Sequence, residues 1–265
     1  MPTGDARTEG NRDVTVQSES VDSGLRRSIK NTGTIIRGLG VFLVAGFAIA
    51  AAATWLFGQF AEKVASGQTQ SFDETVLRWM GEHHTSTLDA AMLEITALGT
   101  GTVVMMVVAV SALFLVLTRH KYSALLLLVA TGGGLILNQI LKNVFNRPRP
   151  HVFEWGTDAV SSSFPSGHSM SAVIVYSTVA YLASRLHRSA WARAAVMTLT
   201  FVVIILICTS RLYLGVHYPS DVLAGATVGL GWAAFCMATL EAIQRFGKQS
   251  APEIQQQEAP APPSA

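Results

Sequence analysis

The chain has 265 residues, 50% of them hydrophobic and only 14% charged. Soluble domains carry about a quarter charged residues, so this deficit, joined to long uncharged runs, excludes an ordinary water-soluble fold and points to a membrane protein. A formal net charge of +2, with no basic stretch interleaved with aromatics, gives no footprint for nucleic acid.

Residues 1–33 are polar, with mixed charges and few large apolar groups, and are expected to form a disordered tail. Arg26, Arg27, Lys30 and Arg37 make a basic collar before the first apolar run. No cleavable signal peptide is expected, because that run begins near Gly38, after the tail, and is too long for a signal core.

Six apolar runs follow: roughly Gly38 to Ala61, Leu98 to Thr118 with a start a turn or more earlier, Tyr122 to Leu141, Gly167 to Ser184, Ala194 to Ser210, and Val222 to Leu240. Each is long enough, or nearly so, to cross a hydrocarbon core of roughly 30 Å as a helix of about 20 residues. A soluble helical bundle would need polar faces at helical period, which these runs lack. The expected fold is therefore all-α, a polytopic membrane protein with six transmembrane helices in a bundle over residues 34–245. Residues 246–265, rich in Gln, Pro and Ala, are expected to be a second disordered tail.

Between the first two runs lies a polar stretch, Glu62 to Asp89. Phe72, Val76, Leu77, Trp79 and Met80 recur there at helical spacing, which fits an amphipathic helix at the interface or, alternatively, a surface loop. Cys208 and Cys236 fall inside apolar runs without metal-like spacing and read as buried small hydrophobes.

With the N-terminus inside, the inner segments hold the collar, then Arg119 and Lys121, then Arg185, Arg188 and Arg193, then Arg245 and Lys248. The outer ones hold Lys63, Arg78, Lys142, Arg147, Arg149 and Arg211. This bias supports a multi-pass protein of the cell membrane with both termini cytoplasmic.

Three polar patches border these runs. The first is Lys142, then after six residues Arg149-Pro150. A planar arginine fork and a mobile lysine charge suit phosphate oxygens, and Arg147-Pro148-Arg149-Pro150 is stiff because each proline restricts its own backbone and its predecessor's. A basic juxtamembrane anchor is the alternative. In the second patch, Pro165-Ser166-Gly167-His168 opens a helix, whose free N–H groups attract an anion, with His168 at the mouth to move a proton. An ordinary helix cap with an incidental histidine is the alternative. The third patch is Ser210-Arg211, then His217 after five residues and Asp221 four later. A carboxylate beside His217 would fix its tautomer and direct the other nitrogen as a nucleophile, or Asp221 would simply cap a helix, or both. By span parity all three patches share the outer face.

The pattern Lys142…Arg149-Pro150, Pro165-Ser166-Gly167-His168 and Ser210-Arg211…His217…Asp221 resembles the three-part signature of the type 2 phosphatidic acid phosphatase family, the lipid phosphate phosphatase superfamily, over residues 35 to 243. The resemblance implies a membrane phosphatase with an interfacial active site, acting on a lipid phosphate or diphosphate such as a polyprenyl diphosphate, phosphatidic acid or phosphatidylglycerol phosphate. It implies that His217 attacks phosphorus to form a phosphohistidine, that Asp221 orients His217, and that His168 protonates the leaving alkoxide and then activates water. Lys142, Arg149 and Arg211, with Ser166 and the Gly167 N–H, would hold the equatorial oxygens. One carboxylate makes a poor cage for a hard cation, so no metal and no cofactor are expected. The competing readings are a catalytically silent lipid-phosphate-binding membrane scaffold, against which both histidines and Asp221 stand, and a vanadate haloperoxidase, against which the apolar runs stand.

Other features carry weaker expectations. His83-His84 reads as a solvated loop. Asn138 and Gln139 would hydrogen-bond to a neighbouring helix, and Gly132-Gly133-Gly134, Gly225 and Gly229 would serve close packing. Glu154, Trp155 and Asp158 lie between patches one and two without an assigned job.

Overall fold

A computed structural model describes residues 43–159, 161–187 and 189–257. The expected N-terminal tail and its basic collar lie outside these residues. Two compact units divide after residue 45: residues 1–45, of which 43–45 are described and helical, and 46–265, which holds all that follows.

The described backbone is helical apart from short turns and the longer α5–α6 connection, residues 146–166. The helices are α1 Leu43–Ala65, α2 Gln70–Glu82, α3 Ser86–Ala97, α4 Gly101–Leu117, α5 Lys121–Phe145, α6 Gly167–Leu186, α7 Ala190–Tyr213 and α8 Pro219–Gln257. Hydroxyl caps start several of them, where the first N–H groups have no helical partner: Thr85, Thr100, Ser166 and Ser189 accept from Leu88, Val103, Ser169 and Ala192 N–H.

α1, α5, α7 and the Pro219–Gln244 part of α8 are each long and apolar enough to cross a membrane. α3 and α4 meet that description only together, bent by 45°. The expected second span is therefore broken, because Thr100 restarts the helix as a new cap while its hydroxyl also donates to the Ala97 carbonyl at 2.7 Å. α6 has 20 residues, enough for a crossing, but its four serines, Thr178 and His168 help keep it below the hydropathy of the other spans. It is the central helix, packed by α5, α7 and α8, and it buries Ser169 and Thr178 among them. The six expected runs thus correspond to four apolar helices, one bent pair and one sheltered polar helix.

The main core joins Val104, Leu115, Leu127, Met170, Ile174 and Leu240 from α4, α5, α6 and α8. The outward faces are apolar too: Leu117, Trp191, Leu199, Phe201 and Val110 are all exposed. Such a continuous apolar exterior is stable against hydrocarbon and unstable in water. The stretch after α1 is a helix, not a loop; α2 buries Leu77 and also Asp73. At the other end, α8 keeps a helical backbone to Gln257, past residue 246 where a tail is expected.

Candidate active site

The C-terminal ends of α5 and α7 and the N-terminal ends of α6 and α8 lie at one end of the bundle, and the three patches meet there. Gly225 of α8 makes part of this possible. A Cβ on it would lie 2.5 Å from the Ser166 carbonyl oxygen, so only glycine lets α8 come this close to the start of α6. The Ser166 N–H donates to the Asp221 carbonyl at 3.0 Å, which ties patch two to patch three.

His217 sits in the α7–α8 connection and is 2% exposed. Its Nδ1 is 3.7 Å from Asp221 Oδ2, within ion-pair range but beyond a hydrogen bond, and has no hydrogen-bond partner among the described residues. Its Nε2 lies 3.3 Å from Arg149 Nη1. Burial pushes the His217 pKa down to about 4 against the opposing pull of Asp221, and the charges of Arg149 and Arg211 push it the same way as burial. The ring is therefore neutral near pH 7, with one nitrogen turned to a carboxylate and the other to a cation.

The cations surround this ring. Arg149 donates through Nη1 to the Val216 carbonyl at 2.6 Å and through Nε to the Ser161 carbonyl at 2.8 Å. Its burial lowers its pKa, with Asp221 opposing. Lys142, in the last turn of α5, donates to Ser161 Oγ at 3.2 Å and to the Ser162 carbonyl. Arg211, in the last turn of α7, is 3% exposed and donates to Thr96 Oγ1 of α3 at 2.7 Å. Its Nε is buried without a partner among the described residues, a donor that a phosphate oxygen would satisfy. His168 packs against Gly99 at the α3–α4 break, and the charges of Arg211, Arg149 and Lys142 reach it.

Ser166 caps α6 and accepts from Ser169 Oγ at 3.0 Å, so its lone pairs are engaged while its own proton stays free to donate. Asn138 of α5 stands 3.2 Å from where a Cβ on Gly167 would be. Asn138 reaches α6 as expected, donating to Met170 Sδ at 3.4 Å, whereas Gln139 bonds within its own helix to Asn143.

Asp221 is fully buried. One oxygen accepts from Ser163 Oγ and from the Tyr218 N–H at 2.9 Å; the other accepts from Arg147 Nη1 at 2.6 Å. Neither Arg147 nor the serines Ser161 and Ser162 figure among the sequence-derived site residues, yet they touch its charged groups. No spacing rule marks them, because their partners lie far along the chain. Elsewhere, His84 is only partly exposed: it stacks on Tyr213 with ring centroids 4.2 Å apart. His83 bonds through Nδ1 to the carbonyl of Trp79 at 2.7 Å. Trp155 donates to the Pro150 carbonyl at 2.7 Å and packs with Tyr213 and Leu214.

The arrangement presents a neutral, oriented imidazole, three cationic side chains and a second histidine around one buried carboxylate. That combination can hold a phosphate and move a proton. A family model described as the PAP2 superfamily matches residues 123–245. Phosphatidylglycerophosphatase B of Bacillus subtilis is 32% identical over 187 residues, 70% of this chain and 92% of that protein. The undecaprenyl-diphosphatase of Sulfolobus acidocaldarius is 26% identical over 67% of this chain and 82% of that one. The crystal structure of a transmembrane PAP2-type phosphatidylglycerolphosphate phosphatase from Bacillus subtilis superposes with a TM-score of 0.70 at 30% identity, covering 74% of this chain and 98% of that one.

Proposed function

We propose, from the premise that this chain belongs to the PAP2 superfamily, that it hydrolyses a lipid phosphate or diphosphate at the outer membrane face through a phosphohistidine on His217. It is a multi-pass membrane protein and a lipid phosphatase. The observation that carries the finer reading is the setting of His217: Nδ1 faces Asp221 while Nε2 faces the Arg149 fork, so the attacking nitrogen and the phosphate-binding cations share one small space.

In the first step His217 Nε2 forms a bond to phosphorus as the bond to the lipid oxygen breaks, and His168 gives that oxygen its proton. Asp221 balances the charge that appears on the imidazole. In the second step His168 takes a proton from water, the water oxygen bonds to phosphorus, and the nitrogen–phosphorus bond breaks to free inorganic phosphate and restore His217. Lys142, Arg149, Arg211, Ser166 and the Gly167 N–H hold the equatorial oxygens throughout, which in phosphoryl transfer is most of the work. Both oxygens of Asp221 are already bonded to protein donors, which argues for a mechanism without a metal. All three patches sit at one end of the bundle, which supports six crossings with α6 as the central span and a site at the interface. A substrate would then keep its tail in lipid while its headgroup enters.

Phosphatidylglycerol phosphate is the first substrate to test, since the relative matched over 92% of its length carries that name, with polyprenyl diphosphate and phosphatidic acid beside it. Phosphate release in detergent, with chelator present, is expected from wild type and is expected to fall to background in His217→Ala. Silence toward every lipid phosphate would favour the scaffold reading, and activity lost in chelator but restored by Mg²⁺ would end the metal-free one.

A further inference from the structure

Arg147 is spent on protein, not on a ligand. Nη1 donates to Asp221 Oδ1 at 2.6 Å and to Ser220 Oγ at 2.8 Å. Nη2 donates to Asp73 Oδ2 at 3.0 Å and to Gln70 Oε1 at 3.3 Å. The guanidinium face lies over the Tyr218 ring, 4.1 Å from its centroid. Both terminal nitrogens are thus committed, unlike Arg211, whose Nε has no partner among the described residues.

Asp73 comes from α2, well over a hundred residues before α8, and is fully buried. It accepts from the Ser220 N–H at 3.0 Å and from Ser220 Oγ at 2.6 Å. A carboxylate from one helix therefore caps the first turn of another, the helix that carries Asp221. Arg147 bridges the two carboxylates, Asp73 and Asp221, and the charges are buried where an uncompensated one is costly.

We propose that Arg147 and Asp73 form a positioning pair for catalysis: together they fix the rotation and the ionised state of the Asp221 carboxylate and so aim His217. The proposal rests on the reading of His217 as nucleophile. Arg147 takes one Asp221 oxygen, leaving the other to face His217 Nδ1 across 3.7 Å. α2 gains a definite role from this: it is the element whose docking completes the catalytic carboxylate's setting.

The test is steady-state kinetics on monodisperse, folded enzyme in detergent. Arg147→Lys keeps the charge but cannot fork between two carboxylates; Asp73→Asn keeps the shape but removes the counter-charge. Each is expected to lower kcat by roughly 10- to 100-fold, the scale of one charge-assisted hydrogen bond. KM should stay within about twofold, since neither side chain touches phosphate. In the Arg147→Lys background Asp73→Asn should cost nothing more, because the two act through one bridge. Ser220→Ala removes a shared hydroxyl without leaving a charge unpaired, and keeps the question open to measurement if the charge variants do not fold; it should lower kcat about threefold to tenfold. A raised KM at constant kcat, additive losses in the double variant, or wild-type kcat in folded Ser220→Ala would overturn the proposal. Were His217→Ala still active, the underlying nucleophile reading would fail; were it dead while the pair variants matched wild type, only this inference would.

Discussion

Burial pushes the pKa of His217 down to about 4, so its imidazole stays neutral through mildly acidic pH, as the proposed attack on phosphorus requires. The acid limb of kcat/KM should therefore lie well below the usual histidine value of about 6.5, and a limb at that usual value would contradict the burial of the ring. Stability responds to the same shift. Between about 6.5 and about 4 the unfolded chain binds a proton that the folded chain refuses, so stability present above that window is lost as pH falls through it. The melting temperature of His217→Gln should accordingly drop less than that of wild type between about pH 7 and about pH 4. His168→Ala should lose about 10²- to 10⁴-fold in kcat, the usual share of a positioned acid–base group. At this scale the sequence shows the motif residues but not Arg147, whose partner Asp73 lies in a separate polar stretch. One signal was present: Asp73, Leu77 and Met80 fall at i, i+4 and i+7, a carboxylate on the apolar stripe of α2.

The site is assembled from helix ends, so close packing between helices controls it. Gly225→Val would press a side chain on the Ser166 carbonyl, a backbone atom that cannot swing aside. It should lower both melting temperature and activity by separating α6 from α8. Gly132→Ala is the contrast, since a Cβ there meets nothing within 4 Å. Activity should be unchanged and stability equal or higher by up to about 1 kcal/mol, as for alanine replacing glycine inside a helix. Equal damage from both substitutions would contradict the close-approach account. Apolar runs reveal α1, α5, α7 and α8 because lipid-facing helices must be hydrophobic along their length. They reveal α6 too, as the run Gly167 to Ser184, although its hydropathy is lowered by serines and a histidine, and they miss the break between α3 and α4. That break depends on Thr100 capping a new helix, a local choice no hydropathy average registers.

Across the whole molecule, one end of the bundle carries the polar cluster while the flanks are apolar. Asp158, in the α5–α6 connection beside the site, is exposed, and both native cysteines are buried. Asp158→Cys should react with an impermeant thiol reagent in intact cells; labelling only after permeabilisation would place the site on the cytoplasmic face. Span parity reads this side from charge bias alone, and folding adds the convergence of the patches, which parity requires but does not produce. The substrate's tail is the part the sequence leaves blank, because the motif residues all surround the phosphate. The most direct measurement of the central claim is a single turnover with lipid carrying labelled phosphate, quenched rapidly in alkali and mapped by peptide. Transient label is expected on His217, stable to alkali and released by acid. Turnover with no label on the protein, or label that persists in His217→Ala, would contradict it.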